Sequence, residues 1–467
     1  MKEFHKFYLI GICGTAMASL AGMLHDKGYA VSGSDSNVYP PMSDFLDQLG
    51  IPVFQGFNAE NLQKTQPDVV VIGNALSRGN PEVEYVLDSG LRYASMAETV
   101  KELFIRGKNS IVVAGTHGKT TTTAMLAWIL NATGRKPSFL VGGIAENFGR
   151  SFQVADGPDF VIEGDEYDTA FFDKGPKFLH YLPRIVLLKN IEFDHADIYD
   201  NLEAIKTAFR RLINIVPRSG LIVAGVDSPV VKELIPAAFS RVATCGIGTG
   251  EWQATNIETQ SDGMAFDVIR KESHIGRFRI PLPGHFNVQN ALGAIIAARG
   301  LGLQNDVIQS ALSTFKSVKR RLEIRGEVNG IVVYDDFAHH PTAVYETLRA
   351  VRERHPQARI WAVFEPRSHT SRRRIFEEQF IQSFDPADTS VIAHVYGAAH
   401  LQASEQLSPD RLAEGIRARG KRAFTFSSTD DIVSFLAREL RSGDHVVIMS
   451  NGGFDNIHNK LLGRLRG

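Results

Sequence analysis

The sequence has few of the features that would place it in a specialised class of protein. Only two cysteines, Cys13 and Cys245, occur in 467 residues, so a disulfide framework is not expected and a reducing cytosol fits. The 51 basic and 52 acidic side chains give a net charge of -1, which favours no nucleic-acid partner. No apolar run reaches the length of a membrane span, and the N-terminus has no long apolar core typical of a signal peptide. We therefore expect a cytoplasmic protein with no membrane partner.

The length and the residue pattern favour a chain of three α/β domains. At 467 residues the chain is about three times the roughly 150 residues of an average domain, and 43% of it is hydrophobic, enough for several cores. Short apolar runs alternate with helical stretches along the sequence. We predict three doubly wound domains, Rossmann-like or P-loop-like, with mostly parallel sheets, over residues 1–107, 108–317 and 318–467.

The stretch from Ile111 to Thr123 has the order strand, glycine loop and helix. The apolar run that ends at Ala114 predicts a buried strand, and apolar residues recur at helical spacing after Lys119. The backbone N–H groups and the positive dipole at the start of such a helix attract phosphate. In a nucleotide-binding loop, Lys119 would pair with the β- and γ-phosphates and Thr120 would ligate Mg²⁺.

The match to the common phosphate-loop pattern is incomplete. The pattern G-x-x-x-x-G-K-[ST] requires a glycine at position 113, where the chain has valine, so only a shorter form with Gly115 and Gly118 is present. An ordinary strand-to-helix turn with a surface lysine is the alternative. The strand and the helix that the motif requires on either side favour the nucleotide loop.

A second glycine turn follows the first predicted strand. Gly11 and Gly14 precede a helical pattern, and a second strand ends at Asp35, as in the start of a Rossmann unit. The dinucleotide fingerprint fails, because Cys13 and Ala16 stand where glycines are needed. We predict that this turn holds a nucleotide diphosphate, with Asp35 near a ribose or base; a domain that binds nothing here is the alternative.

Polar loops follow several of the other predicted strands. Four carboxylates lie between Glu163 and Asp168, where a phosphate-loop fold places its Mg²⁺ ligand; a solvated acidic loop is the alternative. His195 follows another strand of the same sheet and is a candidate for a second metal ligand or a phosphate contact; a loop histidine without function is the alternative. Asn287 can cap a helix, which would not exclude an adenine contact. Arg367 is a candidate for an anionic substrate, although a solvated basic helix end explains it equally well.

Together these motifs resemble the Mur ligase family over essentially the whole chain. The motifs that carry the resemblance, in chain order, are Gly115-Thr-His-Gly-Lys-Thr-Thr121, Glu163-x-Asp-Glu-x-Asp168, Asp194-His195, Gly284-His-Phe-Asn287, Arg321-Leu-Glu323 and Tyr334-Asp-Asp336 with His339-His-Pro341. The resemblance implies an ADP-forming ligase of peptidoglycan metabolism that uses ATP and Mg²⁺. It would activate the carboxylate of UDP-N-acetylmuramate as an acyl phosphate, which an amine then attacks. Its cellular role would lie in cell-wall biogenesis, and hence in cell shape and division.

The resemblance also implies roles for individual residues. The catalytic residues would be Lys119, Glu163, His195 and Arg321, and the metal ligands Thr120, Glu163 and His195. The nucleotide would be bound by Gly115, Thr116, His117, Gly118, Lys119, Thr120, Thr121, Asn287, Asn290, Arg321, Asp336 and His339. The UDP-sugar would be bound by Gly11, Cys13, Gly14, Thr15, Asp35, Asn74, Ala75 and Arg78. The incoming peptide would be bound by Arg367 and Ser368.

The acceptor amine has two alternatives within the family. Stretches such as Asn37-Val-Tyr-Pro-Pro-Met-Ser43 and Glu365-Pro-Arg-Ser368 are similar to the branch that joins the tripeptide L-alanyl-γ-D-glutamyl-meso-diaminopimelate, in peptidoglycan recycling. The other branch adds L-alanine. We expect no carbamoylated lysine, because Lys206 is about one helical turn from the position that the family uses. A nucleotide-gated binding protein without ligase activity is an alternative of another class, and a folylpolyglutamate-type synthetase is a weaker one.

Overall fold

The computed structural model describes residues 4–40, 42–397 and 405–467 and contains three separate large β-sheets. The first sheet has the strand order β3-β2-β1-β4-β5, and every pairing in it is parallel. Its strands are β1 (Lys6–Ile10), β2 (Ala30–Asp35), β3 (Val53–Gln55), β4 (Val69–Ile72) and β5 (Tyr93–Ser95). Its helices are α1 (Thr15–Asp26), α2 (Met42–Gln48), α3 (Ala59–Thr65), α4 (Pro81–Asp88) and α5 (Met96–Val100).

The second sheet has ten strands in the order β17-β16-β15-β14-β13-β12-β6-β9-β7-β8. Its strands are β6 (Asn109–Ala114), β7 (Ser138–Ala145), β8 (Arg150–Gln153), β9 (Asp159–Gly164), β12 (Ile185–Leu188), β13 (Leu221–Gly225), β14 (Arg241–Ile247), β15 (Trp252–Gln260), β16 (Gly263–Arg270) and β17 (Ser273–Ile280). A separate hairpin is formed by β10 (Asp168–Ala170) and β11 (Asp173–Pro176). The helices of this part are α6 (Lys119–Ala132), α7 (Leu202–Asn214), α8 (Pro229–Leu234), α9 (His285–Gly300) and α10 (Asn305–Ser313).

The third sheet has the order β18-β19-β23-β20-β21-β22, and only β18 runs antiparallel to its neighbour. Its strands are β18 (Glu323–Val328), β19 (Ile331–Asp336), β20 (Ile360–Phe364), β21 (Thr389–Ala393), β22 (Arg422–Phe426) and β23 (His445–Met449). Its helices are α11 (Pro341–Arg354), α12 (Glu377–Ser383), α13 (Pro409–Ala418), α14 (Thr429–Glu439) and α15 (Ile457–Arg466). In the described part of the chain, no helix is both long enough and apolar enough to cross a bilayer.

The predicted fold class is confirmed, and the central strand β6 shows its physical basis. Ile111 and Val113 pack with α6 and α9 on one face of the sheet, whereas Val112 and Ala114 pack into the core on the other face. A strand that is covered on both faces must be apolar at every position, which explains the continuous apolar run. The antiparallel strands β15, β16 and β17 were not predicted, because their outer positions are polar.

The register of the central sheet gathers three loops at one edge. Ala114 at the end of β6 pairs with Leu188 of β12 on one side and with Gly164 of β9 on the other. All three strands are parallel, so the loops that follow them start at the same edge of the sheet. This edge carries the glycine loop, the acidic loop and the loop that contains His195, and ligands of open α/β sheets bind at such an edge.

Candidate active site

The glycine loop leads directly into α6 and leaves the start of this helix without a side-chain cap. Gly115 and Gly118 have positive φ values of 132° and 79°, a conformation that favours glycine. A Cβ atom at Gly118 would lie 2.5 Å from Asn290 Oδ1. The first turn of α6 therefore presents backbone N–H groups that no side chain caps, and this arrangement is suited to bind phosphate.

Two backbone N–H groups of the glycine loop donate to another loop of the protein. The backbone N–H of Thr116 donates to the Asn190 carbonyl oxygen at 2.8 Å, and that of His117 donates to Asn190 Oδ1 at 2.8 Å. These bonds fix the loop against the end of β12. The backbone amides of Thr116 and His117 therefore brace the loop, and the amides that start α6 remain the candidates for binding phosphate.

Lys119 is held by an acid to which the sequence pattern gave no role. Its Nζ donates to the two carboxylate oxygens of Glu166 at 3.0 and 2.9 Å, and to the Gly115 carbonyl oxygen at 2.8 Å. Burial alone would lower the pKa of Lys119, but Glu166 and Asp165 raise it above its ordinary value. The lysine is therefore a fixed positive charge at the mouth of the loop.

Thr120 and Glu163 form the oxygen pair that was predicted as a metal site. Thr120 Oγ1 donates to Glu163 Oε2 at 3.1 Å, and the Gly142 N–H donates to Glu163 Oε1 at 2.5 Å. Burial and the neighbouring Asp165 raise the pKa of Glu163. A hydroxyl and a carboxylate at this distance, both oxygen donors, fit the ligand preference of Mg²⁺.

His195 joins the same cluster through Glu166. Its Nε2 lies 2.9 Å from Glu166 Oε1, so Glu166 bridges the histidine and Lys119. The His195 backbone has φ of 56°, which is uncommon for a residue other than glycine, and its N–H donates to Asp194 Oδ1 at 2.7 Å. Asp194 also accepts a bond from Thr370, which lies in the loop after β20 of the third sheet. The strained loop turns the imidazole inward, towards the acidic loop.

Arg321 reaches this cluster from the start of the third α/β unit. Its Nη2 donates to Thr120 Oγ1 at 3.2 Å, and its guanidinium lies 5.0 Å from the centre of the Phe337 ring. Burial lowers the pKa of Arg321, although Asp336 and Glu163 oppose the shift. The four predicted catalytic residues thus form two hydrogen-bonded pairs. Thr120 joins Glu163 to Arg321, and Glu166 joins Lys119 to His195.

A cavity of about 640 Å³ opens beside the glycine loop, between the second and third sheets. It is lined by these predicted nucleotide-binding residues: His117, Gly118, Thr121, Asn287, Asn290, Arg321 and Asp336.

The prediction that Asn287 caps helix α9 is wrong. Helix α9 starts at His285 with Gly284 at its cap position, and Asn287 Nδ2 donates to the Pro283 carbonyl oxygen at 2.8 Å. Asn290 Nδ2 in turn donates to Asn287 Oδ1 at 2.9 Å, so the two amides orient each other.

Lys189 lines the same cavity and was missed, because a lone lysine after a strand carries no motif. Its Nζ lies 3.2 Å from Thr122 Oγ1 and also donates to Asn290 Oδ1. A Cβ atom at Gly118 would be 3.1 Å from this Nζ. Burial lowers the pKa of Lys189 to about 7. The amine is therefore a second basic group beside the glycine loop.

Asp336 and His339 are placed by the third sheet. Asp336 accepts the N–H groups of Leu322 at 2.7 Å and Ala338 at 2.8 Å, so its carboxylate organises the backbone around it. His339 Nδ1 lies 2.9 Å from the Phe337 carbonyl oxygen. It is the next residue, His340, whose ring packs on His117, with 4.7 Å between ring centres.

The residues predicted for the UDP-sugar lie at the carboxyl ends of β1, β2 and β4. The Cys13 N–H donates to Asp35 Oδ2 at 3.0 Å, so Asp35 braces the turn in which Gly11 has φ of 81°. Gly14 is the cap residue of α1 and Thr15 its first residue. Asn74 and Ala75 are exposed after β4, and the guanidinium of Arg78 donates to Glu84 at 2.9 Å. Arg78 therefore forms an ion pair with Glu84 while its side chain stays exposed.

Of the two residues predicted for the peptide, Arg367 lines another cavity, at the carboxyl edge of the third sheet, and Ser368 does not. The cavity has about 350 Å³, and Arg367 lines it together with Glu365 and Tyr396. The Arg367 guanidinium stacks 3.7 Å from the centre of the Tyr396 ring. Ser368 is buried, and its Oγ donates to Ser371 Oγ at 2.9 Å. The Arg367 guanidinium thus faces the cavity, with its Nη1 3.8 Å from Glu365 Oε2, whereas Ser368 stabilises its own loop.

The fold, together with the glycine loop beside the 640 Å³ cavity, is that of a nucleotide-dependent enzyme of phosphoryl-transfer chemistry. Three family descriptions match consecutive parts of the chain: "Mur ligase family, catalytic domain" over residues 6–107, "Mur ligase middle domain" over 113–298 and "Mur ligase, glutamate ligase domain" over 320–452. The chain belongs to the Mur ligase family.

The relatives and solved structures extend this similarity to the full length. The UDP-N-acetylmuramate–L-alanyl-γ-D-glutamyl-meso-2,6-diaminoheptandioate ligase of Haemophilus influenzae is 41% identical, covering 100% of both chains. The Escherichia coli ligase of the same name is 42% identical, over 98% of this chain and 97% of its own. The UDP-N-acetylmuramate–L-alanine ligase of Clostridium tetani is 34% identical, over 97% and 96%. The crystal structure of a murein peptide ligase from Psychrobacter arcticus matches with a TM-score of 0.74 and 37% identity, over 99% and 98%.

Proposed function

We propose that this protein is an ATP-dependent, ADP-forming ligase that joins UDP-N-acetylmuramate to L-alanyl-γ-D-glutamyl-meso-diaminopimelate. The observation that carries the proposal is the linked cluster around Lys119, in a chain that is 41% and 42% identical over its length to two ligases named for these substrates. Such a ligase would recycle peptidoglycan peptides. ATP and UDP-N-acetylmuramate are cytosolic metabolites, which supports a cytosolic enzyme.

The chemical need is activation of an otherwise unreactive carboxylate. A carboxylate oxygen of the muramyl lactoyl group attacks the γ-phosphorus of ATP, and ADP leaves. The α-amine of the tripeptide then attacks the acyl carbon, loses a proton, and expels phosphate as the amide forms. Negative charge spreads over the transferring phosphoryl group, so catalysis consists mainly of positioning and of electrostatic stabilisation.

The residues of the cluster are suited to these tasks. Lys119 and the first turn of α6 would bind the β- and γ-phosphates, and Arg321 would reach the γ-phosphate from the opposite side. Thr120 and Glu163 would hold Mg²⁺, with His195 at a second ion; the bound metal neutralises charge on the phosphates. Asn287 and Asn290 would contact the adenine, and Asp336 and His339 the ribose side of the nucleotide.

We propose three domains, over residues 1–107, 108–317 and 318–467, each with one substrate task. Each large sheet falls within one of these ranges, which supports the division. The first would bind the UDP-sugar through the turn at Gly11 to Thr15 with Asp35, Asn74 and Ala75. The third would bind the peptide, with Arg367 facing one of its carboxylates.

An acceptor assay tests the function against its two rivals. The purified protein is incubated with Mg²⁺, ATP, UDP-N-acetylmuramate and either the tripeptide or L-alanine, while ADP release and product mass are recorded. We expect the tripeptide adduct and one ADP for each amide formed. The alanine adduct alone would instead identify the alanine-adding activity, which the 34% identical relative supports. ATP binding with neither adduct would favour a binding protein without ligase activity.

A further inference from the structure

A group of three side chains at the wall of the nucleotide cavity has no part in the proposed reaction. His117 comes from the glycine loop, Glu192 from the loop after β12, and His340 from the residue that caps α11. Their ligand atoms all lie within 4.8 Å of one another. His117 Nε2 is 3.4 Å from Glu192 Oε2, and His340 Nδ1 is 3.6 Å from the same oxygen.

The protonation states suit a cation. Burial lowers the pKa of His340 to about 4, helped by the nearby His117, so this imidazole is neutral. Burial alone would raise the pKa of Glu192, but hydrogen bonds from His117 and Thr342 lower it to about 2. Asp194 also faces His340, and its negative charge opposes part of this lowering of the pKa. The group therefore offers two imidazoles and one carboxylate.

Neighbouring groups orient the side chains of His340 and Glu192. His340 Nε2 lies 3.3 Å from the Phe193 carbonyl oxygen, and the Thr342 N–H donates to His340 Nδ1 at 3.3 Å. Both contacts require the proton on Nε2, so Nδ1 carries the lone pair; a cation at Nδ1 would replace the long bond from the Thr342 N–H. The Thr342 hydroxyl donates to Glu192 Oε2 at 2.7 Å. Hydrogen bonds of this kind to the ligands are a regular feature of metal sites.

We infer that His117, Glu192 and His340 form a site for a borderline divalent cation such as Zn²⁺, separate from the oxygen ligands proposed for Mg²⁺. Two histidines and a carboxylate are a ligand set of zinc enzymes, and the atoms need to move together only slightly to reach bonds of about 2.0–2.2 Å. Mg²⁺ prefers oxygen ligands and would not compete well here. The cation would tie the glycine loop to the start of α11, and so link the second and third α/β units.

Cobalt spectroscopy tests the site without relying on ligase activity. The full-length protein is titrated with Co²⁺ in excess Mg²⁺, which fills the oxygen sites, and the visible d–d absorption is recorded. Zn²⁺ is then added to displace the cobalt. We expect one Co²⁺ per chain with the intense absorption of four- or five-coordination, and stoichiometric loss of this signal on adding Zn²⁺.

Three variants assign the signal to these residues. His340→Gln and the nearly isosteric Glu192→Gln should abolish it, whereas Thr342→Val should weaken Zn²⁺ affinity about 10–100-fold by removing the bond that orients Glu192. His274→Gln is the matched control, because this exposed histidine also lies beside a carboxylate, 3.5 Å from Asp267, and should change nothing. Unchanged absorption in both folded Gln variants, or only the weak absorption of octahedral cobalt in the unmodified protein, would overturn the inference.

Discussion

At the scale of single residues, Lys119 is the side chain to which we assign the binding of the transferred phosphate. It is held as a cation by Glu166, so its loss removes the charge that the triphosphate must meet. We expect Lys119→Ala to keep its fold and to lose about 10²–10³-fold in kcat/KM, the size of effect seen for transition-state donors. Steady-state ADP release and circular dichroism measure the two quantities. An unchanged kcat/KM would refute the assignment of the loop.

Lys189 should couple nucleotide binding to proton uptake. Its pKa of about 7 means that most of the amine is neutral at pH 8, and a phosphate beside it would restore the charged form. We expect ATP to bind with uptake of a proton at pH 8, and expect Lys189→Met to bind ATP more weakly and without this uptake. Calorimetry in two buffers of different ionisation enthalpy measures the proton count. If the unmodified protein and Lys189→Met took up the same number of protons on binding ATP, Lys189 would not be the group that gains the proton.

The same lysine should destabilise the free protein at neutral pH. Its folded pKa lies below the unfolded value, so the unfolded chain binds the extra proton, and the penalty is complete below pH 7 and disappears as the pH rises to about 10.5. Lys189→Met should therefore raise the free energy of unfolding by about 2–4 kcal/mol at pH 7 and by less at pH 9. Urea unfolding at both pH values checks the sign, and a larger gain at pH 9 would contradict it.

At the scale of elements, the two ends of α6 provide a matched test of the glycine loop. Gly118 before the helix and Gly134 after it both have φ of 79°, but a Cβ atom would be 2.5 Å from Asn290 Oδ1 at Gly118 and would meet nothing within 4 Å at Gly134. Gly134→Ala should cost only the backbone penalty of about 1–2 kcal/mol. Gly118→Ala should cost more and should also weaken ATP binding.

Thermal unfolding and ATP titration of the two glycine variants separate these effects. Equal losses of stability would mean that the contact with Asn290 is relaxed at no cost. Normal ATP affinity in Gly118→Ala would mean that the start of α6 does not bind phosphate.

The sequence could predict most of the parallel strands but not all of the contacts at their ends. The strand that ends at Ala114 was predicted with its observed end, because a strand buried on both faces is apolar almost throughout. Glu163 and His195 were located because each lies at or after the carboxyl end of such a strand. The specific role of Glu166 and the presence of Lys189 in the site were missed, because both depend on partners distant in sequence, His195 for Glu166 and Asn290 for Lys189. Only the folded chain brings such partners together.

At the scale of the whole molecule, the active site requires two α/β units to meet. Arg321 bonds Thr120 and Thr370 bonds Asp194, so residues from the third unit complete a cluster built by the second. Enzymes of this kind close on their substrates. We expect ATP with UDP-N-acetylmuramate to reduce the radius of gyration in X-ray scattering, with hinges near Gly107 and Lys316. Identical scattering curves with and without ligands would contradict closure.

The central claim is that phosphate from ATP is transferred to the muramyl carboxylate before the amide forms. The most direct test uses UDP-N-acetylmuramate with ¹⁸O in that carboxylate, together with ATP and the tripeptide, and analyses the released phosphate by mass spectrometry. An acyl phosphate leaves its bridging oxygen with the phosphate, so we predict one ¹⁸O in the phosphate for each amide formed. Amide formation with unlabelled phosphate would contradict this mechanism.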